Sequence, residues 1–384
     1  MAGGFYIDFN VASGRPSEGH RIFGRPPDFT VANVMLWSDE PMIALDARTV
    51  VLGYLFRKGP PSVRVREGAG ADGSALAAAN GRALLTGYWG GYIFIHVTQG
   101  GALYVLRDPS GLLPCYIRRA GVETALAGDV TDLAVSGPGR IDVEEIGRIL
   151  ASGDARGRKT CLVGVEELIA GECLIVDRLA ATIEPWWSPW DHVAPRKMSI
   201  EEEASHLRQT IADCIGSWSS CFPSILLGSS GGLDSSIVAV AATPRSERLT
   251  TLTLVSPGVA GDERPYAQAV ASSLGIPLRD APLDLADIDL ERAVTPHHPW
   301  PISPLFKQAV GAVHRRLQLE MPIDAHFSGN GGDGIFCSIR SAVPLLDHFL
   351  SEGPSTAIGK TVRNISSLTG ADMFTVLKHA WARH

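Results

Sequence analysis

The residues with the clearest chemical pattern form a loop at 228–236, which reads Gly-Ser-Ser-Gly-Gly-Leu-Asp-Ser-Ser. An apolar run at 224–227 precedes it, and the pattern of 233–242 predicts a helix after it. Glycines and small hydroxyl residues let backbone N–H groups converge on an anion, and the N-terminus of the following helix adds partial positive charge. Open α/β sheets bind ligands at the carboxyl ends of their strands. We therefore predict a phosphate-binding loop at this position.

Asp234 is the unexpected member of this loop, because a carboxylate repels phosphate. It fits if it holds Mg²⁺, which bridges carboxylate and phosphate oxygens. The alternative is an aspartate of a helix turn that binds no ligand. The sequence leaves both interpretations open, and we favour the magnesium ligand.

Residues 230–236 resemble the pyrophosphate loop of ATP pyrophosphatases, in the form SGGLDSS that is typical of the asparagine synthetase family. This family includes asparagine synthetases, β-lactam synthetases and lasso-peptide cyclases. Residues 262–275 resemble its "DE…YA…VA…LG" segment, and Ser-Gly-Asn-Gly-Gly-Asp at 328–333 is similar to its SGxGxD motif. Residues 107–116 resemble the RDPLGIRPLYY stretch of its glutaminase-type domain, and 187–189 resemble its YWxP segment.

The resemblance implies a ligase that forms carbon–nitrogen bonds. Members of the family activate a carboxylate as an acyl-adenylate, release pyrophosphate and then form an amide. The implied cofactors are ATP and Mg²⁺, and Asp234 and Asp333 are the implied catalytic and metal-binding pair. The residues implied to bind the nucleotide are Ser230, Gly231, Gly232, Asp234, Ser235, Ser236, Val255 and Gly329.

Two differences from the family's motifs limit the reactions that we expect of this protein. Position 2 is Ala2 where glutamine-hydrolysing members have a nucleophilic cysteine, and residues 52–56 lack the asparagine of the family's NGEIYN stretch. Glutamine hydrolysis is therefore not expected, and the amine would come from the substrate itself. Asn330 stands where asparagine synthetases have glutamate and β-lactam synthetases have tyrosine, and an amide cannot act as a base.

Among the family's activities we favour a lasso-peptide macrolactam cyclase, because Gly331-Gly332-Asp333 resembles that subgroup. A glutamine-hydrolysing asparagine synthase-like enzyme and a β-lactam synthetase are the alternatives. The expected partner is a peptide or small-molecule substrate with both a carboxylate and an amine. A precursor peptide and its protease are candidate partners of a cyclase.

The segment after Asp333 raises a further alternative. The family has a catalytic lysine well downstream of SGxGxD, but neither Lys360 nor Lys378 lies in a matching context. We therefore expect a fragment or a C-terminally truncated member. Without a fixed cation, charge that develops on the phosphates is not neutralised. A non-catalytic nucleotide-binding relative is thus a second hypothesis.

A rival motif overlaps the loop, since Gly228, Ser230 and Gly232 also fit the G-x-S-x-G nucleophile elbow of α/β-hydrolases. Asp284, His297 and His326 would be available for a triad. This interpretation leaves Asp234, Asp333 and the N-terminal resemblance unexplained. We keep it as an outside alternative.

The elements around these motifs indicate two domains. Short β-rich runs are predicted at 5–7, 49–52, 82–85, 92–97, 102–106 and 173–176, and a Pro- and Trp-rich stretch at 183–195 follows them. After it, helices and strands alternate, which implies a parallel sheet. We predict an Ntn-hydrolase-like β-rich sandwich at 1–190, without its catalytic cysteine. At 191–384 we predict an α/β domain of the adenine-nucleotide α-hydrolase-like type.

Composition excludes several other classes of protein. Apolar residues make up 45% and charged residues 20% of the 384 residues, which excludes a largely disordered chain. The net charge of −7 and the lack of a basic block argue against nucleic-acid or membrane binding. The six cysteines are scattered, so neither a zinc site nor a disulfide framework is indicated. With no secretion signal apparent, we expect a cytoplasmic protein.

Overall fold

The computed structural model divides the chain into two compact units. It describes residues 4–10, 18–67, 70–120, 123–134, 139–152, 156–177, 180–194, 198–256, 262–292, 294, 297–301, 306–335 and 341–382. The first unit contains Met1–Cys221 and Asp284–Glu320, and the second contains Phe222–Leu283 and Met321–His384. None of the helices in the described ranges is long and apolar enough to cross a membrane.

The first unit is built on two antiparallel sheets. Its strands are β1 (Phe5–Asn10), β2 (Phe29–Val31), β3 (Val34–Ser38), β4 (Met42–Asp46), β5 (Thr49–Arg57), β6 (Val63–Val65), β7 (Tyr88–Val97), β8 (Leu103–Arg107), β9 (Tyr116–Ala120), β10 (Glu123–Ala127), β11 (Val165–Glu167), β12 (Glu172–Val176) and β13 (Ala181–Pro185). One sheet has the order β11-β9-β10-β1-β3-β2. The other has the order β13-β12-β8-β7-β5-β4, with β6 also paired to β5.

A shared apolar core holds these two sheets face to face. Alternate residues of β1, such as Phe5 and Ile7, meet Val50 and Leu52 of β5 and Ile93 of β7 there. Because the strands of both sheets are also apolar on their outer faces, each outer face needs a further cover. Separate apolar clusters lie on those outer faces and include side chains from the helical segments.

The helices of this unit are α1 (Glu18–Phe23), α2 (Gly70–Ala78), α3 (Arg82–Gly87), α4 (Val143–Ser152), α5 (Ile200–Ser219) and α8 (Lys307–Glu320). A capping box starts α5, where Ser199 and Glu202 bond each other's backbone N–H groups. Asp213 of α5 accepts hydrogen bonds from the backbone N–H and the hydroxyl of Ser62. This helix therefore packs in the first unit.

The second unit contains a parallel sheet of four strands. These are β14 (Ser224–Gly228), β15 (Arg248–Val255), β16 (Leu278–Pro282) and β17 (Ala325–Ser328), and their order is β16-β15-β14-β17. The helices of this unit are α6 (Leu233–Ala242), α7 (Arg264–Leu274), α9 (Gly332–Ile335), α10 (Val343–Glu352), α11 (Ile358–Thr369) and α12 (Met373–Trp381). The last three form a small apolar cluster of their own.

The predicted fold class is confirmed, with antiparallel β-rich sheets in the N-terminal part and a parallel sheet in the C-terminal part. The predicted strand at 82–85 is wrong, because these residues form helix α3. Gly81, which directly precedes the helix, has a left-handed backbone conformation, and Leu84 is completely buried. A short apolar run has no periodicity that distinguishes a strand from a helix. Its tertiary packing therefore decides which of the two it forms. The domain limits 1–190 and 191–384 stay a prediction.

Candidate functional site

Three strand ends converge where the phosphate loop was predicted. Gly228, the last residue of β14, pairs with Leu252 of β15 on one side and with Ser328 of β17 on the other. All three strands are parallel, so their carboxyl ends lie at one edge of the sheet. The loop 228–236 and the motif 328–333 both leave the sheet at this edge, as the sequence led us to expect.

The loop residues form a compact internal hydrogen-bond network. The Ser235 hydroxyl accepts from the Ser230 backbone N–H over 3.3 Å and donates to the Gly232 carbonyl over 3.2 Å. Ser230 Oγ accepts from the Gly232 N–H over 3.1 Å, and the Ser236 hydroxyl donates to the Gly232 carbonyl over 2.7 Å. These bonds hold the turn in one shape at the start of α6, whose N-terminal end favours an anion.

Gly231 fits this turn for two independent reasons. Its φ is +73°, a left-handed conformation that costs a residue with a side chain about 1–2 kcal/mol. A Cβ atom at this position would also lie 2.5 Å from Tyr266 Cβ and 2.6 Å from the Ala267 nitrogen. The first turn of α7 is therefore packed directly against the loop.

The second motif is packed against Asp234. A Cβ atom on Gly329 would lie 2.5 Å from the Ser235 nitrogen and 3.0 Å from Asp234 Cβ. A Cβ atom on Gly332 would overlap the carboxylate of Asp234 itself. Asp333 follows Gly332 directly and is exposed in the first turn of α9. The structure thus brings the second motif against the loop, next to the position of Asp333.

The residues present fit a magnesium ion that is shared with phosphate. Mg²⁺ takes oxygen ligands and is usually held by one or two carboxylates together with phosphate oxygens and water. Asp234 and Asp333 would be the two carboxylates of such a site. Within the described ranges there is no group of three or more His, Cys, Asp or Glu side chains that could enclose a metal by themselves.

Thr253 of β15, which we did not assign to the site, supports the loop. Thr253, almost completely buried, donates its hydroxyl to the Ser229 carbonyl over 2.8 Å. Ser229 is buried too, and its Oγ has no hydrogen-bond partner in the part of the chain that the structure describes. The available signal for Thr253 was its position near the end of a buried strand. Val255 ends β15, and its carbonyl accepts from the Leu283 N–H.

Asp262, at the start of α7, forms an ion pair with a nearby arginine. Asp262 bonds the Arg264 guanidinium over 2.8 Å through each of its oxygens, and this hydrogen bonding lowers the pKa of Asp262. The hydrolase alternative receives little support. Asp284 caps a helical turn through the Ala286 N–H, and His297 Nδ1 lies 2.7 Å from Asp129 Oδ2.

The RDPSG segment of the N-terminal part has a structural role. The buried Arg107 guanidinium donates to the carbonyls of Gly111, Leu113 and Leu168 and pairs with Glu167. Asp108 is 1% exposed, and burial raises its pKa although it accepts backbone N–H groups from Tyr92 and Ser110. Ala2 lies outside the described residues.

Comparison with known proteins gives one family match. The family model "Asparagine synthase" matches residues 225–353. No curated protein sequence matches the chain. The match covers β14, the loop, α7 and the second motif, which are the elements that build the site. For residues 225–353 it confirms the family that the motifs resemble, and it supports the predicted enzyme class, an ATP-using ligase that forms carbon–nitrogen bonds.

Three solved structures are similar over parts of the chain. NMN synthetase from Francisella tularensis is 21% identical over 21% of this chain and 36% of its own, with a TM-score of 0.19. NH3-dependent NAD synthetase from Campylobacter jejuni is 16% identical over 30% of this chain and 49% of its own, with a TM-score of 0.22. Glutamine phosphoribosylpyrophosphate amidotransferase from B. subtilis is 11% identical over 82% of this chain and 70% of its own, with a TM-score of 0.29.

The chain thus spans less than half of the length of the two synthetases. The family match, in contrast, is continuous from the strand before the loop to the end of α10. The C-terminal half of this chain carries, within residues 225–353, a domain of the asparagine synthase family.

Proposed function

We propose that this protein is an ATP-dependent, AMP-forming amide synthetase that uses Mg²⁺ and takes the amine from its own substrate. The observation that carries the proposal is the contact between two distant motifs, the loop 228–236 and the segment 328–333, at one edge of the parallel sheet. That contact brings an anion-binding turn and the Asp234 carboxylate against the segment that carries Asp333, which is the arrangement a metal-bound triphosphate requires.

Each part of the site has a defined task in this reaction. The loop backbone and the Ser230 and Ser235 hydroxyls would hold the pyrophosphate part of ATP, and the end of β15 at Val255 would contact the adenine. Asp234 and Asp333 would hold Mg²⁺, which withdraws charge from the phosphate oxygens. The substrate carboxylate then attacks the α-phosphorus and releases pyrophosphate. The substrate's amine attacks the resulting acyl group and releases AMP.

Ring closure within one peptide is the form of this reaction that we favour. An amine and a carboxylate on one substrate react as a single molecule, which removes a large entropic barrier. Asn330, an exposed residue of the turn that cannot act as a base, supports this choice over asparagine formation. The N-terminal sandwich would then serve as a substrate platform rather than a glutaminase.

Exchange of labelled pyrophosphate into ATP tests the proposal. We expect exchange that depends on Mg²⁺ and on a peptide substrate, with loss of one water from the mass of the peptide product. Asp234→Asn should abolish exchange, whereas Asp280→Asn, at an exposed aspartate of β16 outside the site, should leave it intact. Exchange that survives Asp234→Asn unchanged would exclude this site as the catalytic one.

A non-catalytic nucleotide-binding protein is the second candidate, because neither Lys360 nor Lys378 matches the family's catalytic lysine. Titration calorimetry with Mg²⁺ and ATP separates the two candidates. Tight ATP binding without any pyrophosphate exchange, for every peptide tried, would favour the binding protein. The absence of both would exclude both candidates.

A further inference from the structure

Three large apolar side chains that are exposed rather than buried in the core belong to residues next to the loop and the second motif. Leu233 is 76% exposed, Tyr266 is 68% exposed and Ile335 is 76% exposed. We call these three residues the apolar rim. Exposed apolar residues that are grouped around a site usually mark a surface that is covered when the ligand binds.

Each rim residue is tied to the site by the backbone. Leu233 is the first residue of α6 and precedes Asp234. Tyr266 lies against Gly231, since a Cβ atom on that glycine would come within 2.5 Å of Tyr266 Cβ. Ile335 follows Asp333 by two residues, and its N–H donates to the Gly331 carbonyl over 3.1 Å.

The exposure of the rim does not come from poor packing of its helices. Ala267, next to Tyr266, is buried, and α7 packs on β15 and β16 through its other face. Ser235 and Ala239 are likewise buried on α6. The helices thus bury small residues and leave the large apolar ones at the site.

We propose that the apolar rim binds the substrate beside its reacting carboxylate and selects a peptide with an apolar or aromatic residue next to that carboxylate. This inference rests on the proposed function. Free aspartate or glutamate carries charge at every end and has no apolar group that could cover the rim. A peptide that brings a carboxylate to the two aspartates also brings neighbouring side chains to Leu233, Tyr266 and Ile335.

Calorimetric titration with two matched peptides tests the rim. Both peptides carry an aspartate. In one peptide leucine and phenylalanine flank it, and in the other serine and asparagine do. The titrations contain Mg²⁺ and α,β-methylene-ATP. We expect about tenfold tighter binding of the apolar peptide, because a single methylene group in an apolar pocket already discriminates by about 10- to 200-fold. Equal affinities, or no binding of the apolar peptide, would overturn the inference.

Substitutions in the apolar rim test whether the rim causes the preference for the apolar peptide. Tyr266→Ser and Ile335→Ser should each reduce the difference between the peptides to about twofold without changing the affinity for the nucleotide. Leu368→Ser is the control, because Leu368 is equally exposed on α11 outside the site. A preference that survives both rim substitutions would overturn the inference. Pyrophosphate exchange is measured separately. A peptide preference without exchange would refute the ligase function but would still support peptide binding at the apolar rim.

Discussion

Gly332 lies directly against the carboxylate of Asp234, so closely that a methyl group on Gly332 would overlap it. The two residues are far apart in sequence and belong to different motifs. Their contact joins the turn after β17 to the loop after β14. It also limits where the Asp234 carboxylate can be, because the backbone of Gly332 occupies one side of it.

We predict that Gly332→Ala displaces the Asp234 carboxylate and lowers the affinity for Mg²⁺–ATP at least tenfold. Gly334→Ala is a matched control on the same short helix, because a Cβ atom there meets nothing within 4 Å. Calorimetric titration with ATP in the presence of Mg²⁺ measures both variants. Equal affinities of the two variants would show that the contact does not position Asp234.

Alanine substitutions at Gly231 and Gly275 distinguish the cost of backbone strain from the cost of steric overlap. Both have a left-handed φ, +73° and +66°, but an added Cβ atom would meet neighbours within 4 Å only at Gly231. Gly275→Ala should therefore cost about 1–2 kcal/mol of unfolding free energy. Gly231→Ala should cost about 1–3 kcal/mol more, because it also pushes on the first turn of α7.

Chemical denaturation of both variants, followed by circular dichroism, tests this pair. If the two substitutions cost the same, α7 is not packed against the loop in solution. A larger cost for Gly275→Ala would contradict the steric argument.

Ser229 and Ser235 should respond in opposite ways to the loss of their hydroxyls. The Ser229 hydroxyl is buried and unpartnered among the described residues, and a buried polar group of this kind costs about 1–3 kcal/mol. We expect Ser229→Ala to leave the melting temperature unchanged or to raise it. Ser235→Ala removes the bonds with Ser230 and Gly232 and should lower it. A fall in melting temperature for Ser229→Ala would reveal a partner of its hydroxyl.

Asp132 gives the first unit a pH dependence. Burial, and secondly the negative charge of Asp129, raise the pKa of Asp132 to about 6 from its ordinary value of 3.8. The folded state therefore holds this proton where the unfolded state has lost it, and the contribution to stability falls as the pH rises from about 4 to 6. Above pH 6 the ionised carboxylate destabilises the fold.

Asp132→Asn removes this effect, because an amide does not ionise in this range. We expect the variant to be more stable than the parent protein at pH 7 and to lose this advantage at about pH 4. Urea denaturation at a series of pH values measures the difference. A difference that stays constant with pH would show that Asp132 has an ordinary pKa in the folded protein.

The loop, its strand and its helix were predictable from the sequence alone. The buried run 224–227, the glycines and the helical pattern from Leu233 are local features, and the structure has β14 and α6 where they were predicted. The capping box at Ser199 was local in the same sense. The family resemblance of 225–353 also depends on residues that stand together in short segments.

Arg82–Gly87 shows where local information fails. The apolar residues there fit a strand as well as a short helix, and the burial of Leu84 in the cluster on the second sheet decides for helix α3. The short edge strands β2 and β11 were missed for a related reason. Three residues carry too little pattern to be recognised, and their pairing partners lie elsewhere in the chain.

The amino-acid sequence by itself determined which groups could bind ligands or take part in catalysis, because the residues of a motif act through their types and their spacing. Only the tertiary structure decided that Gly332 touches Asp234, that Tyr266 stands beside Gly231 and that Leu233, Tyr266 and Ile335 stay exposed. These relationships depend on the order in which parallel strands assemble. Strand order is set by packing over the whole sheet, and no single segment contains it.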